Sequence, residues 1–553
     1  MQFLAMVSSN RSMSIDSDRR GDGKKEASSE MLETVPHSPE TAEVKEGAWA
    51  SAKKHPKVIM YSVTACVSSM LWGFDIGVNS ITVALPGFKM VFGYEYGDQL
   101  LISATWNALW TAMTSLGMLI GSIASGWISD RGGRRLGFGI GSAISLLGVG
   151  LEYAANEPGL LLAGKIVSSI MPSTTAVLRT CIQINGISLG FFLSLGAIYA
   201  SEIAPTALRP SLTAAVNLFV NAGQLTAIGL GNTRFSILTP ASYKVIFAAQ
   251  WAFPCFIGLF SFFMPESPWY LCRKGQIKQA KKSLQRLHLK SANTDLILGD
   301  IQTSIAAENS LATIQKDTSY RDCFRGTDWR RTRISCGMFA VQQFTGIAFY
   351  SQALYFLGII GLPTALTFQL ALGGFGVAML GNIVSWFIMN YIGRRPLLLT
   401  GIILNALCLM SVGVAGCFTT TAAMYYIGYV MNFAQLFYSP TVGAVSWTIS
   451  AEVSSVKARA KTQSLAIVTN ALVSWAMNFV APYLINTDQA NLGGKAAFVW
   501  MALSFVSFVW AWLEVPELRG RTFSELDDIF SQRVPTRHFK KAMTEPSSSS
   551  VDA

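Results

Sequence analysis

Charge is what this 553-residue chain has little of: 14% of its residues are Asp, Glu, Lys or Arg, where a soluble domain carries roughly 25%. Hydrophobic residues make up 51% and the mean hydropathy is +0.38. A water-soluble globule is excluded, and the bilayer is the solvent for most of the chain. No secretory signal peptide is apparent, because residues 1–57 are polar and charged, with Arg19, Arg20, Lys24 and Lys25 among acids and serines. That tail is expected to be disordered and cytosolic. The eight cysteines stand singly, with Cys66, Cys255, Cys336 and Cys408 inside apolar runs, which argues against a disulfide framework or a metal-ligand spacing. Nucleophile constellations and phosphate-cradling loops are also lacking. Gly137, Gly139 and Gly141 lie inside an apolar run, where small residues permit close helix contact. Neither an enzyme nor a cofactor is expected. The net charge of +11 raises nucleic acid as a partner, but in so apolar a chain it points to basic loops instead.

What is present is a succession of apolar runs near residues 58–80, 103–128, 136–155, 160–203, 211–231 and 245–264. After a polar segment they resume near 334–358, 365–390, 397–416, 424–450, 464–485 and 496–515. A bilayer-spanning helix needs about 20 apolar residues. The expected fold class is therefore an all-α membrane protein with twelve transmembrane helices in two six-helix pseudo-symmetric bundles. Residues 58–264 and 334–515 form the bundles, 265–333 a cytosolic central loop with short amphipathic helices, and 1–57 and 516–553 the tails. In the loop, Ile277, Ala280, Leu284 and Leu287 recur at helical spacing among Lys and Arg. Basic residues crowd alternate connections: Arg131, Arg134 and Arg135, then Arg209, then Arg273 to Arg333, Arg394 and Arg395, Lys457 to Lys461, and Arg519 with Arg521. The positive-inside rule puts these connections and both termini in the cytosol.

The halves echo one another. Asp130-Arg131-Gly-Gly-Arg134-Arg135 follows the second run and Asn390-Tyr-Ile-Gly393-Arg394-Arg395 the eighth; Glu202 with Arg209 follows the fourth and Glu452 with Arg459 the tenth. A parallel repeat of six spans is the architecture of two halves rocking about a central site. The recurring acids and bases, Asp130, Arg134, Arg135, Glu202, Arg209, Arg394, Arg395, Glu452 and Arg459, are expected to gate it by pairing across the interface between halves. The plainer alternative is a set of solvated basic loops obeying the charge rule.

These motifs, together with Gly73-Phe74-Asp75, Pro265-Glu266-Ser267-Pro268, Gln342-Gln343-Phe-Thr-Gly346, Gly393-Arg-Arg-Pro396 and Pro516-Glu517-Leu-Arg-Gly520-Arg521-Thr522, stand in the order found in the sugar porters of the major facilitator superfamily. The chain resembles that family over about residues 58–530. Ala241 to Trp251, Val216-Asn217-Leu218 and Ser446 to Val453 look like its fungal maltose and general α-glucoside permease branch. The resemblance implies a monomeric, multi-pass plasma-membrane symporter of a sugar and a proton. In this reading Asp75 accepts the proton and Lys165 is its positive partner, and Asn217, Gln224, Gln342, Gln343, Trp447 and Asn470 bind the sugar. A carboxylate inside an apolar run costs roughly 2.5–3.5 kcal/mol on insertion scales, which calls for a function; the alternative is a permanently ionised pair tying two spans together. The amides could equally be glue between helices.

Some residues depart from the family pattern. Ala348 stands where hexose porters usually have Asn, Asn390 where Asp is usual, Pro210 in place of a glycine, and Asn217 where Gln is common, which leaves glucose itself in doubt. A facilitative uniporter and an exporter of a fungal secondary metabolite remain as alternatives, and a nontransporting nutrient sensor is a third. The run 160–203 is also too long. As one helix it would extend roughly 65 Å, about twice the hydrocarbon thickness, and Pro172 and Arg179 interrupt it. Excising Ser168 to Ile184 leaves an uninterrupted helix, which suggests a segment translated from a short unspliced intron. A genuine bulge buried by protein is the alternative.

Overall fold

Backbone groups in hydrocarbon have no water to bond, so apolar runs of this length satisfy their N–H and C=O groups internally as helices. The computed structural model describes residues 53–97, 99–158, 161, 184–205, 208–287, 294–316, 320–418, 420–455, 458–519, 526, 529–536 and 539. Its long helices in the first half are α1 (Pro56–Ala84), α2 (Ala104–Gly132), α3 (Arg134–Ala154), α4 (Ile184–Ile203), α5 (Arg209–Asn232) and α6 (Ala241–Gln250, continued by Ala252–Phe263). In the second half, α7 runs through Gly326–Gln342, a π turn at Gln343–Ile347, Ala348–Ser351 and Ala353–Ile359. It is followed by α8 (Thr364–Ile392), α9 (Arg394–Ala415), α10 (Thr421–Tyr438, a π turn at Ser439–Gly443, Ala444–Val453), α11 (Arg459–Ile485) and α12 (Ala497–Glu514). The twelve expected spans are thus matched by twelve helical elements, the first part of the fourth run lying outside the described residues.

Among the described residues, nine helices are long and apolar enough to cross a membrane by composition alone. The other three elements are α5, which carries Asn217, Asn221, Gln224 and Asn232, and the broken helices α7 and α10. Residues 162–183, with Lys165 and nearly all of the suspected insertion, fall outside the described set. One small departure from all-α is a hairpin pairing Tyr94–Tyr96 with Gln99–Leu101. The central segment forms helices Pro268–Arg273, Ile277–Leu287 and Thr294–Lys316. Ala280, Leu284 and Leu287 are buried on one face, while Ile277, expected on that face, is exposed.

The core is divided unevenly. At the end bearing the hairpin, here the outer end, one apolar cluster joins the halves, with Phe74, Phe88, Trp110 and Tyr243 from the first and Phe349, Phe356, Leu409 and Trp500 from the second. At the opposite end, which carries the basic motifs, each half has its own cluster, around Phe138, Leu195 and Tyr199 in one and Ile334, Val445 and Ile449 in the other. Among the described residues the buried apolar core is therefore shared by the halves at the outer end and divided between them at the motif end.

Polar contacts repeat this asymmetry. Tyr355 Oη donates to Asn486 Oδ1 at 2.9 Å, and Asn486 Nδ2 donates across the halves to the Ile102 carbonyl at 2.8 Å. Tyr483 and Thr105 meet at 3.0 Å, Ser115 and Ser474 at 3.2 Å. The Tyr94 hydroxyl, on the hairpin, donates to Asp488, and the Lys89 ammonium lies 5.5 Å from the centre of the Tyr355 ring.

Candidate functional site

Asp75 is positioned by the contact of α1 with α5. A Cβ on Gly73 would lie 1.8 Å from the Val220 carbonyl oxygen, and one on Gly223 would lie 2.1 Å from that of Met70, so only glycine lets these backbones touch. With α5 against that face, Asp75 turns into the first half and is 2% exposed. Three amides donate to its carboxylate. Asn185 of α4 reaches Oδ1 at 3.0 Å, Gln250 of α6 reaches Oδ1 at 3.3 Å, and Asn79, one turn along α1, reaches Oδ2 at 3.3 Å. The same Asn185 nitrogen lies 3.2 Å from Oε1 of Glu152, a second carboxylate, fully buried on α3. Ser188 Oγ donates to Asn185 Oδ1 at 3.3 Å, which fixes the amide with its nitrogen toward the acids. Lys165, expected beside Asp75, lies outside the described residues.

The expected sugar-binding amides gather in two places. In α7 the π turn shifts the helix register and Gly346 takes φ +99°, a conformation natural only to glycine. There Gln343 Nε2 donates to Asn470 Oδ1 of α11 at 3.0 Å, and Gln342 Nε2 to the Gly443 carbonyl in the π turn of α10 at 3.3 Å. Below the break, Tyr350 Oη donates to Asn405 Oδ1 at 2.8 Å, while Asn405 Nδ2 donates to the Thr345 carbonyl at 2.5 Å. These two residues were not among the sequence candidates. On the other side Asn217 of α5 donates across the halves to Asn382 Oδ1 of α8 at 3.0 Å. Gln224 lies two turns along α5 and is half-buried. Trp447 stays apart from these amides; it is 43% exposed, with its ring edge-on to Phe339 at 4.7 Å. Hydroxyls, amides and aromatic rings around the helix breaks are the groups that bind a polyol with apolar C–H faces. A cavity of about 330 Å³ lies away from these amides, at the outer end, beside Lys89, Gln99, Thr364 and Thr367.

At the motif end the charges form the same corner twice. Arg134 makes a two-pronged pair with Glu202, at 2.7 and 3.0 Å, and lies 3.6 Å from Asp130. Arg394 reaches Glu452 at 3.1 Å. Glu266 accepts from the backbone N–H groups of Arg134 and Arg135 at 2.8 and 3.3 Å, and Glu517 from those of Arg394 and Arg395, both at 3.1 Å. Arg135 and Arg395 donate to the terminal carbonyls of Phe262 and Trp512, at 2.7 and 2.8 Å. Arg209 and Arg459 open α5 and α11, and their side chains lie outside the described residues. Among the described residues every ion pair at this end lies within one half, and the expected pairing between halves is not formed in this arrangement. The reason is geometric, since the α2–α3 corner meets the ends of α4 and α6 in its own bundle, and the α8–α9 corner meets α10 and the segment after α12. Sequence reading quoted Glu266 and Glu517 within motifs without giving them a role. It passed over Glu152 entirely, although a lone acid in an apolar run is the signal that singled out Asp75.

Comparison with known proteins gives a consistent result. A family model described as "Sugar (and other) transporter" matches residues 61–530. An MFS transporter of Aspergillus fumigatus, fmqE, is 31% identical over 517 residues, 91% of this chain and 92% of that protein. The general alpha-glucoside permease of Saccharomyces cerevisiae is 30% identical over 503 residues, 89% of this chain and 78% of the permease. Among solved structures, the inward open conformation of the xylose transporter XylE from E. coli matches with a TM-score of 0.64 at 20% identity. That match covers 85% of this chain and 99% of XylE. The structural likeness carries the fold, two bundles of six helices, and the sequence match carries the family. The chain belongs to the sugar transporter family of the major facilitator superfamily and is a membrane transporter, not an enzyme.

Proposed function

We propose that the protein is a proton-coupled sugar symporter that imports an α-glucoside such as maltose by alternating access. The observation that carries this reading is Asp75, a carboxylate at 2% exposure held by three amide donors inside the first bundle. Its burial sets a cost of roughly 2.5–3.5 kcal/mol that a structural residue could avoid. One proton moving down 100 mV supplies about 2.3 kcal/mol, enough for roughly 50-fold accumulation of a neutral sugar. Lys165 is assigned as the cation that senses the Asp75 charge. Asn217, Gln224, Gln342, Gln343, Asn470 and Trp447 are assigned to the sugar. The α-glucoside assignment follows the name of the yeast permease, 30% identical over most of the chain.

The site of action is the plasma membrane, with the motif end and both termini in the cytosol, as the basic connections require. A core shared at the outer end and divided at the motif end then corresponds to an inward-facing state. The paired corners keep each half rigid as it rocks, and the gating role of Arg134, Arg394 and their partners is exercised when the motif ends close on one another. Residues 168–184 are assigned to an unspliced intron, and a mature transcript that encodes them would overturn that assignment.

The test is uptake of labelled sugars into cells lacking their own porters, with and without an uncoupler. Maltose concentrated above the bath, and no longer concentrated once the uncoupler is added, is the expected result. Uptake indifferent to the uncoupler would identify a uniporter. An absence of any sugar uptake would favour the exporter reading, which the buried Ala348, lacking the amide of hexose porters, also favours.

A further inference from the structure

We propose that the helix Ile277–Leu287 binds the headgroup of an anionic phospholipid through Lys278, Lys282 and Arg286. From Arg273 to Arg286 the chain carries six cations, Arg273, Lys274, Lys278, Lys281, Lys282 and Arg286, and no acid. Ala280, Ser283, Leu284 and Leu287 form the buried face of the helix, which packs on Pro268–Arg273 and Thr294–Lys316. Lys278, Lys282 and Arg286 recur every four residues, so they share one line along the exposed side. The inference concerns the bilayer and not the cargo, so it stands or falls apart from the symporter reading.

The end of α6 marks the level of the bilayer. Phe262 is 75% and Phe263 64% exposed there, an apolar surface suited to hydrocarbon and not to water. Arg286 Nη2 donates to the Phe263 carbonyl at 2.8 Å, which ties the helix to that level. Headgroups begin where the hydrocarbon stops, so the row of cations starts among them and runs on to Lys282 and Lys278. A basic amphipathic helix in this position attracts anionic lipid. The exposed phenylalanines favour a lipid over a free anion, since inorganic phosphate gains nothing from an apolar surface.

The two halves differ at this place. Pro265-Glu266 after α6 repeats as Pro516-Glu517 after α12, which puts Phe263 and Glu514 in equivalent positions. In the second half Glu514 accepts from Arg333 at 2.7 Å, so that cation is neutralised within the protein. In the first half the same position holds Phe263, and Arg286 bonds its carbonyl. The neighbouring acids are occupied: Asp295 pairs with Lys281 at 2.6 Å, and Glu266 accepts from the backbone N–H groups of Arg134 and Arg135. Among the described residues Lys278 and Lys282 pair with no acid. A phosphodiester supplies their counter-charge, and its oxygens accept from ammonium and guanidinium alike.

The test is native mass spectrometry of the full chain released from detergent, titrated with phosphatidylglycerol or with phosphatidylcholine of the same acyl chains. The first phosphatidylglycerol is expected to bind more tightly than the first phosphatidylcholine, and Lys278→Gln and Lys282→Gln should each weaken it by about fivefold. Phosphatidylcholine binding should not change in these variants, and Lys278→Arg should keep the wild-type preference. In lipid-free detergent the variants should melt at the wild-type temperature, which separates lost binding from lost folding. A wild-type protein with equal affinity for the two lipids overturns the proposal, and so does a double variant that keeps the preference. Displacement of the bound lipid by inorganic phosphate would identify a site for free anions and overturn the lipid assignment.

Discussion

Glu266 and Glu517 show how one residue can hold a corner. A helix start leaves N–H groups with no partner inside the helix, and the positive end of the helix dipole favours a carboxylate there. Each of these glutamates returns from the end of its own bundle to accept from two such groups. Glu266→Gln and Glu517→Gln should each cost about 1–2 kcal/mol, read as a lower melting temperature in detergent, and the two losses should add because the corners do not touch. A different residue answers a question about pH. Burial acts to raise the pKa of Asp488, but hydrogen bonds from Tyr94, Gln489 and Asn486 outweigh it and hold the carboxyl below its ordinary value. The contribution of a depressed acid is fully present above its ordinary pKa and is lost only as pH falls through the depressed one. The Tyr94–Asp488 contact is thus constant across the physiological range, and Asp488→Asn should leave the shape of the pH–uptake profile unchanged. Much of this residue-level detail was only half legible. Asp75 and Glu152 give the same signal, one acid in an apolar run. Asn185, which joins them, was hidden inside a run that read as one long stretch from 160 to 203.

At the scale of the element, α1 and α5 are held by glycine. Since a Cβ on Gly73 would fall 1.8 Å from a carbonyl oxygen, Gly73→Ala must push the helices apart or displace Asp75. A cost at the upper end of the ~1–3 kcal/mol range for overpacking is expected, measured as a fall in folded protein at the cell surface by a fluorescent fusion. The order and ends of the helices were readable because apolar length and basic flanks set them: α8 and α11 match their runs within a few residues at most ends. The breaks in α7 and α10 were not. Runs 334–358 and 424–450 each read as one mostly apolar stretch in spite of Gln342, Gln343 and Pro440, and the π turns rest on tertiary contacts such as those of Asn405 and Tyr438 with the α7 backbone. The corners were readable as a repeat but not as a geometry, because spacing shows that Glu202 and Glu452 are equivalent without showing which half receives them.

For the whole molecule, the uneven core decides which way the protein faces. Phe74, Phe88, Trp110, Phe349, Phe356 and Trp500 belong to a single outer cluster, while the motif ends have separate ones. Facing outward requires that cluster to part and its apolar surface to meet water. Newly wetted apolar surface raises the heat capacity, by about 0.45 cal/mol/K per Å². The balance between the two faces therefore cannot follow a straight van 't Hoff line. Apolar association weakens on cooling, so the outward-open share should rise as the membrane is chilled. A cysteine placed at the buried Asn107 in a cysteine-free background, labelled from outside with an impermeant reagent over a range of temperatures, should trace a curve and not a line. The outer aromatic cluster would then act as the transporter's thermometer as well as its hinge.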